Sequence, residues 1–179
     1  MTDLTTDFDV APAPAIVRAP TLNILALDLG TSCGWALARG ADVTYGTKNL
    51  AARAKDGPGQ RWLKFRAMLG NHYAAAGELH AIYYEHVMAH GTREHPNVIA
   101  AHVYGGFLAH LEAWCDVQRV RLVPIPVGTA KKVWTGSGRA KKEAMVAEAR
   151  KRGFKVGADD DDTADALAIL HVGLKQEGV

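Results

Sequence analysis

Four acidic side chains stand at positions from which they could act together. Asp28 ends a strongly apolar run and is followed by a Gly-Thr-Ser turn, and Glu85 ends a second apolar run. Asp162 and Asp165 lie three residues apart at the start of a third apolar segment. An isolated ionised carboxylate is costly to bury, so an acid that closes a buried strand needs a partner. The simpler alternative for Asp28 is that it caps its turn by accepting a hydrogen bond from a backbone amide.

The two strands that carry Asp28 and Glu85 predict a common site. If they are adjacent and parallel, both carboxylates emerge at the same carboxyl edge of the sheet, where α/β folds bind ligands. Asp162 and Asp165 share one face of a helix's first turn, and Asp161 is the substitute for Asp162 because spacings of three and four both share a face. Acids directed to one point repel one another unless a cation is bound, and all-oxygen ligands favour Mg²⁺ or Mn²⁺ over zinc. The alternatives are that the aspartates only complement a helix dipole and that Glu85 is a surface strand end.

The elements that must position these acids follow from hydrophobic periodicity. The pattern predicts, in order, a strand over 22–27, hairpin strands over 34–38 and 43–47, a helix after residue 59, a strand over 79–85, a helix over 97–114, a strand over 120–127, and helices over 139–152 and 162–174. Pro124 and Pro126 indicate that the last strand lies at a sheet edge or ends early. In the helix over 97–114, five apolar side chains are expected to face inward: Ile99, Val103, Phe107, Leu111 and Trp114. The result is a mixed α/β sheet covered by helices.

Composition bounds the class of protein. The chain has 179 residues, of which 48% are hydrophobic and 22% charged, as in an ordinary globular domain. No apolar run reaches membrane-span length, and the start of the chain lacks the features of a signal peptide. We therefore expect a cytoplasmic protein with a flexible tail over residues 1–20, one domain over 21–179 and no membrane partner. Cys33 and Cys115 are too few for a disulfide framework and are expected to be reduced and buried.

Charge is unevenly distributed along the chain. Between Lys131 and Lys155, nine Lys or Arg residues stand against two Glu residues, and five Asp residues follow within 159–165. A basic segment beside an acidic cluster predicts a polyanionic partner together with a cation site.

Four short motifs follow one another along the chain: Ile-Leu-Ala-Leu-Asp-Leu-Gly-Thr-Ser-Cys-Gly-Trp-Ala, Tyr-Tyr-Glu-His-Val, Gly-Ser-Gly-Arg-Ala-Lys-Lys and Asp-Asp-Thr-Ala-Asp-Ala-Leu-Ala-Ile. Their order and spacing over about residues 24–174 resemble the RuvC-type Holliday junction resolvases, and most of all the divergent branch found in phages. The resemblance implies an RNase H-like fold, in which three antiparallel strands are joined by parallel ones and flanked by helices. It also implies a homodimeric endonuclease that resolves four-way DNA junctions by paired symmetric nicks, with two Mg²⁺ or Mn²⁺ ions per active site and no nucleotide cofactor.

The resemblance also implies roles for individual residues. The metal-binding and catalytic acids would be Asp28, Glu85, Asp162 and Asp165. Lys132 and Lys142 match basic positions that contact the phosphate backbone near the cut, and Lys142 is expected to take part in catalysis. The DNA-binding set is completed by Lys131, Arg139 and Lys141.

Two features depart from the family pattern. Met88 stands where other members carry an aromatic wedge; it could insert between base steps as an apolar wedge, or simply pack. His86, His90 and His95 form a loose cluster near Glu85, for which ordinary surface positions are the simpler explanation.

Three other functions match parts of the same pattern. A general branched-DNA or flap endonuclease of the same fold would carry the same acids. A non-catalytic junction-binding protein would gain nothing from four repelling carboxylates that face a phosphate. Asp-Leu-Gly-Thr-Ser also resembles the phosphate loop of actin-like sugar kinases, but those enzymes need two such domains and a second Gly-rich motif, for which this chain has no room.

Overall fold

The computed structural model describes residues 22–88, 91 and 94–179, and the elements within these ranges are built around one five-stranded sheet. The strands are β1 (Asn23–Asp28), β2 (Ser32–Arg39), β3 (Asp42–Asn49), β4 (Ala81–His86) and β5 (Arg121–Pro126). The helices are α1 (Gln60–Ala76), α2 (Val98–Gln118), α3 (Val127–Thr135), α4 (Lys142–Lys151) and α5 (Asp161–Glu177). The tail expected over 1–20 lies outside the described residues.

The strand order is β3-β2-β1-β4-β5. β1 pairs with β2, and β2 with β3, in antiparallel fashion, whereas β4 runs parallel to both β1 and β5. The predicted mixed sheet is confirmed, and β5 lies at the edge that its two prolines indicated. In the parallel pair Leu27 is opposite Tyr84, so the next residues along the two strands are Asp28 and Glu85.

Helices cover both faces of the sheet, which explains the uninterrupted apolar run of β1. Ile24 and Ala26 pack in a cluster with residues of α3, α4 and α5. Leu25 and Leu27 point the other way, into a cluster with α1 and α2. Because successive strand residues alternate between faces, a strand covered on both sides has to be apolar at nearly every position.

Two glycines let α5 lie close to the sheet. A Cβ atom on Gly34 would be 1.9 Å from the carbonyl oxygen of Asp162, and one on Gly173 would be 2.9 Å from the ring of Tyr83. Gly34 is paired with Asp28 in the β1–β2 register. The absence of a side chain at Gly34 therefore brings the first turn of α5 next to the end of β1.

The sequence pattern did not predict α3, and it began the following helix three residues early. α3 has nine residues, of which only Ala130 and Trp134 are buried, so its apolar stripe is too short to be recognised as helical. The local signals are Pro126 directly before the helix and Gly136, with φ of 85°, directly after it.

The inward face predicted for α2 is correct in its centre and wrong at its start. Phe107, Leu111 and Trp114 are buried, but Ile99 is 79% exposed because the first turn of α2 extends beyond the core beneath it. In mid-helix, a Cβ atom on Gly106 would be 2.4 Å from the Trp62 ring of α1, whereas Gly105 has open space around it. One glycine of the pair therefore packs within the chain, and the other faces outward.

Both cysteines, Cys33 and Cys115, are free and buried, as expected. Among the described residues no helix is both long and apolar enough to cross a lipid bilayer.

Candidate active site

Asp28 and Glu85 lie side by side at the carboxyl ends of the parallel strands β1 and β4. The side chains of both project to the face of the sheet that α5 covers, because each follows Ala26 or Tyr83 of that cluster by two residues. The two carboxyls interact directly, because each of them changes the pKa of the other. This is the juxtaposition that the two strand ends predicted.

Burial and the charges of neighbouring acids raise the pKa values of Asp28 and Glu85. Burial, followed by the charges of Glu85 and Asp165, raises the pKa of Asp28 well above its usual value. Burial and Asp165 raise the pKa of Glu85 to about 7, although Lys131 acts in the opposite direction. Without a counter-ion, the site therefore cannot carry its full negative charge at neutral pH.

Asp165 completes a group of three acids from the side of α5. Burial raises its pKa to about 6 in spite of the opposing charge of Lys131. Its Oδ1 atom is buried and has no hydrogen-bond partner among the described residues. An unpaired buried carboxylate oxygen is costly, and a bound cation would remove that cost.

A set of polar contacts fixes the first turn of α5 on the hairpin. The Ser32 hydroxyl of β2 donates a hydrogen bond to Oδ2 of Asp162. Asp160 caps the helix by accepting from the Thr163 amide at 3.3 Å, and it also accepts from the Thr47 hydroxyl of β3 at 2.8 Å. The Thr47 and Thr163 hydroxyls are 2.9 Å apart. These contacts orient Asp162 and Asp165 toward the strand ends.

Among the basic residues, Lys131 has the strongest effect on the pKa values of the acids. Lys131 of α3 is half-buried and lowers the pKa of both Glu85 and Asp165, whereas its neighbour Lys132 is exposed. The ammonium of Lys142, at the start of α4, forms an ion pair with Asp161. The sequence motifs indicated Lys132 and Lys142; helical geometry turns Lys131, rather than Lys132, toward the acids.

The remaining predicted residues lie around this centre. Arg139 and Lys141 are exposed in the connection between α3 and α4. Met88 is 89% exposed just beyond β4, so the alternative that it simply packs is wrong. His86 is half-buried with its Nδ1 atom buried, His95 is exposed, and His90 lies outside the described residues.

The donor set fits a hard divalent cation in chemistry and charge. Asp28, Glu85, Asp162 and Asp165 offer only carboxylate oxygens, the ligands that Mg²⁺ and Mn²⁺ prefer. Among the described Asp, Glu, His and Cys residues, no three side chains already stand at the spacing of a formed metal site. Binding of such an ion would require these acids to move closer together, and the unpaired Oδ1 of Asp165 would be available as a ligand.

Sequence reasoning missed the residues that support the acids. Ser32 and Thr47 belong to a hairpin whose sequence pattern predicts strands and a turn but gives no sign of a role in the site. Tyr104 lies in the middle of α2. The Tyr104 hydroxyl donates to the carbonyl oxygen of Glu85 at 2.9 Å and accepts from the Val87 amide at 3.2 Å. The only available signal was that Ser32 belongs to the same motif as Asp28.

No protein-family model matches the chain, and no curated protein matches its sequence. Solved structures do match. RuvC of Thermus thermophilus has 19% sequence identity and a TM-score of 0.65, covering 88% of this chain and 97% of that one. The same protein in complex with Holliday junction substrate has 19% identity and a TM-score of 0.68, covering 88% and 96%. The yeast mitochondrial Holliday junction resolvase Ydc2 has 17% identity and a TM-score of 0.57, covering 84% and 76%. The chain therefore has the RNase H-like fold of the RuvC-type Holliday junction resolvases, as its motifs predicted.

Proposed function

We propose that the protein is a metal-dependent endonuclease that acts on branched DNA, and that its substrate is the four-way junction. The observation that carries the proposal is the group formed by Asp28, Glu85 and Asp165 at the carboxyl ends of β1 and β4. The charges of Glu85 and Asp165 raise the pKa of Asp28, the charge of Asp165 raises the pKa of Glu85, and a buried carboxylate oxygen of Asp165 has no hydrogen-bond partner among the described residues. A divalent cation would offset the repulsion between these acids and would satisfy the unpaired oxygen. The fold is that of the resolvases.

In this proposal Asp28, Glu85, Asp162 and Asp165 hold the divalent ions. When bound, such ions generate a nucleophilic water at neutral pH and stabilise the oxygen that leaves the cut phosphodiester. The chain's own contribution is to hold the acids in place. Ser32 orients Asp162, and Tyr104 fixes the backbone at Glu85 through its hydrogen bond to the carbonyl oxygen.

The basic residues of α3, α4 and their connection would bind the DNA backbone. Lys131, Lys132, Arg139, Lys141 and Lys142 all lie within the segment that runs from α3 to the start of α4. Phosphate contacts position a protein on DNA and carry no base information, so this surface suits selection by shape. The exposed Met88 is a candidate apolar wedge at the branch point.

The test is cleavage of an immobile four-way junction with Mg²⁺, compared with a Y-shaped fork and a linear duplex. Symmetric paired nicks in the junction alone would support the proposal. Equal cleavage of the fork would indicate a general branched-DNA endonuclease instead, and binding without cleavage would indicate a junction-binding protein.

Neutral variants of the acids separate catalysis from folding. Asp28→Asn, Glu85→Gln and Asp165→Asn should abolish cleavage and keep or improve junction binding, because each removes a charge that repels phosphate. Glu78→Gln, which changes an exposed acid after α1, is the matched control and should cleave normally. Parallel loss of binding and cleavage in all three variants would contradict the assignment.

A further inference from the structure

A cavity of about 360 Å³ opens on the face of the sheet opposite to the acids, between the β2–β3 hairpin and α1. Its volume is within the range of small-molecule binding sites. It is lined by Trp35 and Lys48 from the hairpin and by Lys64, Ala67, Met68, Asn71 and His72 from α1. None of these residues belongs to the candidate active site.

One wall of the cavity is aromatic. The rings of Trp35 and His72 have centroids 4.4 Å apart and are tilted by 44°. The Trp35 ring lies over Gly46 of β3, where a Cβ atom would be 3.3 Å from it, so the missing side chain makes room for the indole. Burial lowers the pKa of His72, so at neutral pH its ring is uncharged and offers one donor and one acceptor.

The charge of the cavity comes from its two lysines, which differ in their contacts. Lys64 is held in place, because its ammonium donates to Asp56 at 2.7 Å and to the Ala51 carbonyl at 3.0 Å. Lys48 is exposed on β3 at the mouth of the cavity. An aromatic wall with a cationic rim is the combination by which proteins bind single-stranded nucleic acid.

The position of the cavity connects it with the acids. Lys48 is paired with Cys33 in the β2–β3 register, next to Ser32, whose hydroxyl binds Asp162. β3 is two strands away from β1, about 10 Å measured along the sheet at the usual strand spacing, and the cavity and the acids lie on opposite faces of that sheet.

We propose that this cavity binds an unpaired nucleotide of the DNA strand that passes over the sheet edge. Its base would lie against the Trp35–His72 wall, and its phosphate would pair with Lys48. The inference rests on the proposed nuclease function, because a branch point is what supplies unpaired nucleotides beside the cut.

The test uses the wild-type protein in EDTA, so that no cleavage occurs, and the tetranucleotide dT4 as the probe. NMR should show shifts of the Trp35 indole N–H signal, assigned with Trp35→Phe, and of the Lys48 and His72 amides. Lys48→Ala should lower the slope of log affinity against log salt concentration by about 0.7, the value for one phosphate contact on a single strand. Lys175→Ala removes an exposed lysine at the far end of α5 and should leave that slope unchanged.

A second variant fills the cavity without removing any of its polar groups. Ala67 is an exposed lining residue of α1, and Ala67→Phe should lower dT4 affinity about fivefold or more, the loss expected for one unstacked base. Unchanged Trp35 signals, or equal effects of Lys48→Ala and Lys175→Ala, would overturn the inference. So would binding of thymidine monophosphate as tight as that of dT4, because the cavity would then be a site for a free nucleotide. Junction cleavage by the wild type is measured separately. A cavity that does not bind dT4 would therefore leave the proposed function unaffected.

Discussion

At the scale of single residues, burial and neighbouring charges raise the pKa values of Asp28, Glu85 and Asp165. Glu85 has a pKa of about 7 and Asp165 a pKa of about 6, so both keep protons at pH values where an unfolded chain has released them. The contribution of these two raised pKa values to the free energy of unfolding is fully present below about pH 4 and is lost as the pH rises through 6 to 7. Without a bound metal, ionisation of these buried acids at neutral pH lowers the free energy of unfolding.

Glu85→Gln is therefore expected to stabilise the metal-free protein at pH 8 and to change its stability little at pH 5. The gain at pH 8 is on the order of 2 kcal/mol, or a rise in Tm of about 4–8 °C. Thermal unfolding in EDTA at both pH values measures it, with Glu78→Gln as the control. A lower Tm at both pH values would show instead that the Glu85 carboxylate supports the fold.

Lys131 is expected to set the pH dependence of cleavage. It lowers the pKa of Glu85 and Asp165, so Lys131→Ala raises both and moves the acid limb of the pH–rate profile to higher pH, by up to about one unit. Lys132→Ala should weaken junction binding and reduce its salt dependence by a slope of about one, with no shift of the profile. A shift caused by Lys132→Ala and not by Lys131→Ala would reverse these roles.

At the scale of elements, the site depends on how closely α5 approaches β2. Thr47, Thr163 and Asp160 tie the helix start to the hairpin, and Gly34 leaves the space that the Asp162 backbone occupies. Two of the acids therefore reach the strand ends only because a neighbouring strand lacks a side chain at one position.

Gly34→Ala is expected to displace the first turn of α5. The new Cβ atom would be 1.9 Å from a backbone oxygen, and relief of that overlap costs about 1–3 kcal/mol or more. The cleavage rate should fall by more than the loss of folded protein explains, because Asp162 and Asp165 move with the helix. Gly70→Ala is the control: nothing lies within 4 Å of its added Cβ, and in α1 it should stabilise by about 0.5–1 kcal/mol. Normal cleavage by a folded Gly34→Ala protein would contradict this account.

At the scale of the whole molecule, the described part of the chain carries one such group of acids, whereas the proposed substrate, a four-way junction, needs two equivalent cuts. A two-fold pair of chains supplies both, so the expected assembly is a homodimer. Three aromatic residues of α2, Tyr104, Phe107 and Trp114, are buried within the chain and therefore cannot anchor a partner. The outward face of α2 carries Gly105 with open space around it.

Light scattering is expected to show a dimer, and Gly105→Arg should convert it to a monomer that no longer makes paired nicks. Ala74→Arg, at an exposed position on α1, is the matched control and should remain dimeric. A wild type that stays monomeric at micromolar concentration, both free and on a junction, would defeat the paired-cut mechanism. A dimer unaffected by Gly105→Arg would place the interface elsewhere.

What the sequence by itself determined was local: the type and order of most elements, and the acids at their ends. The apolar run of β1 shows that both its faces are covered, the prolines indicate that β5 lies at an edge or ends early, and Asp28 and Glu85 mark two strand ends. These features are readable because periodicity and breaking residues act over a few neighbouring positions. The same locality explains the miss of α3, whose two buried side chains form too short a stripe.

Only the tertiary structure decided which of these residues meet. The choice between Lys131 and Lys132 depends on the rotation of α3, and the contact between Ser32 and Asp162 joins residues 130 positions apart. Gly34 shows its importance only when α5 lies against it, and the cavity at Trp35 exists only between the hairpin and α1. Each depends on the packing of elements distant in sequence, and hydrophobic packing leaves no periodic signal of which neighbour an element will have.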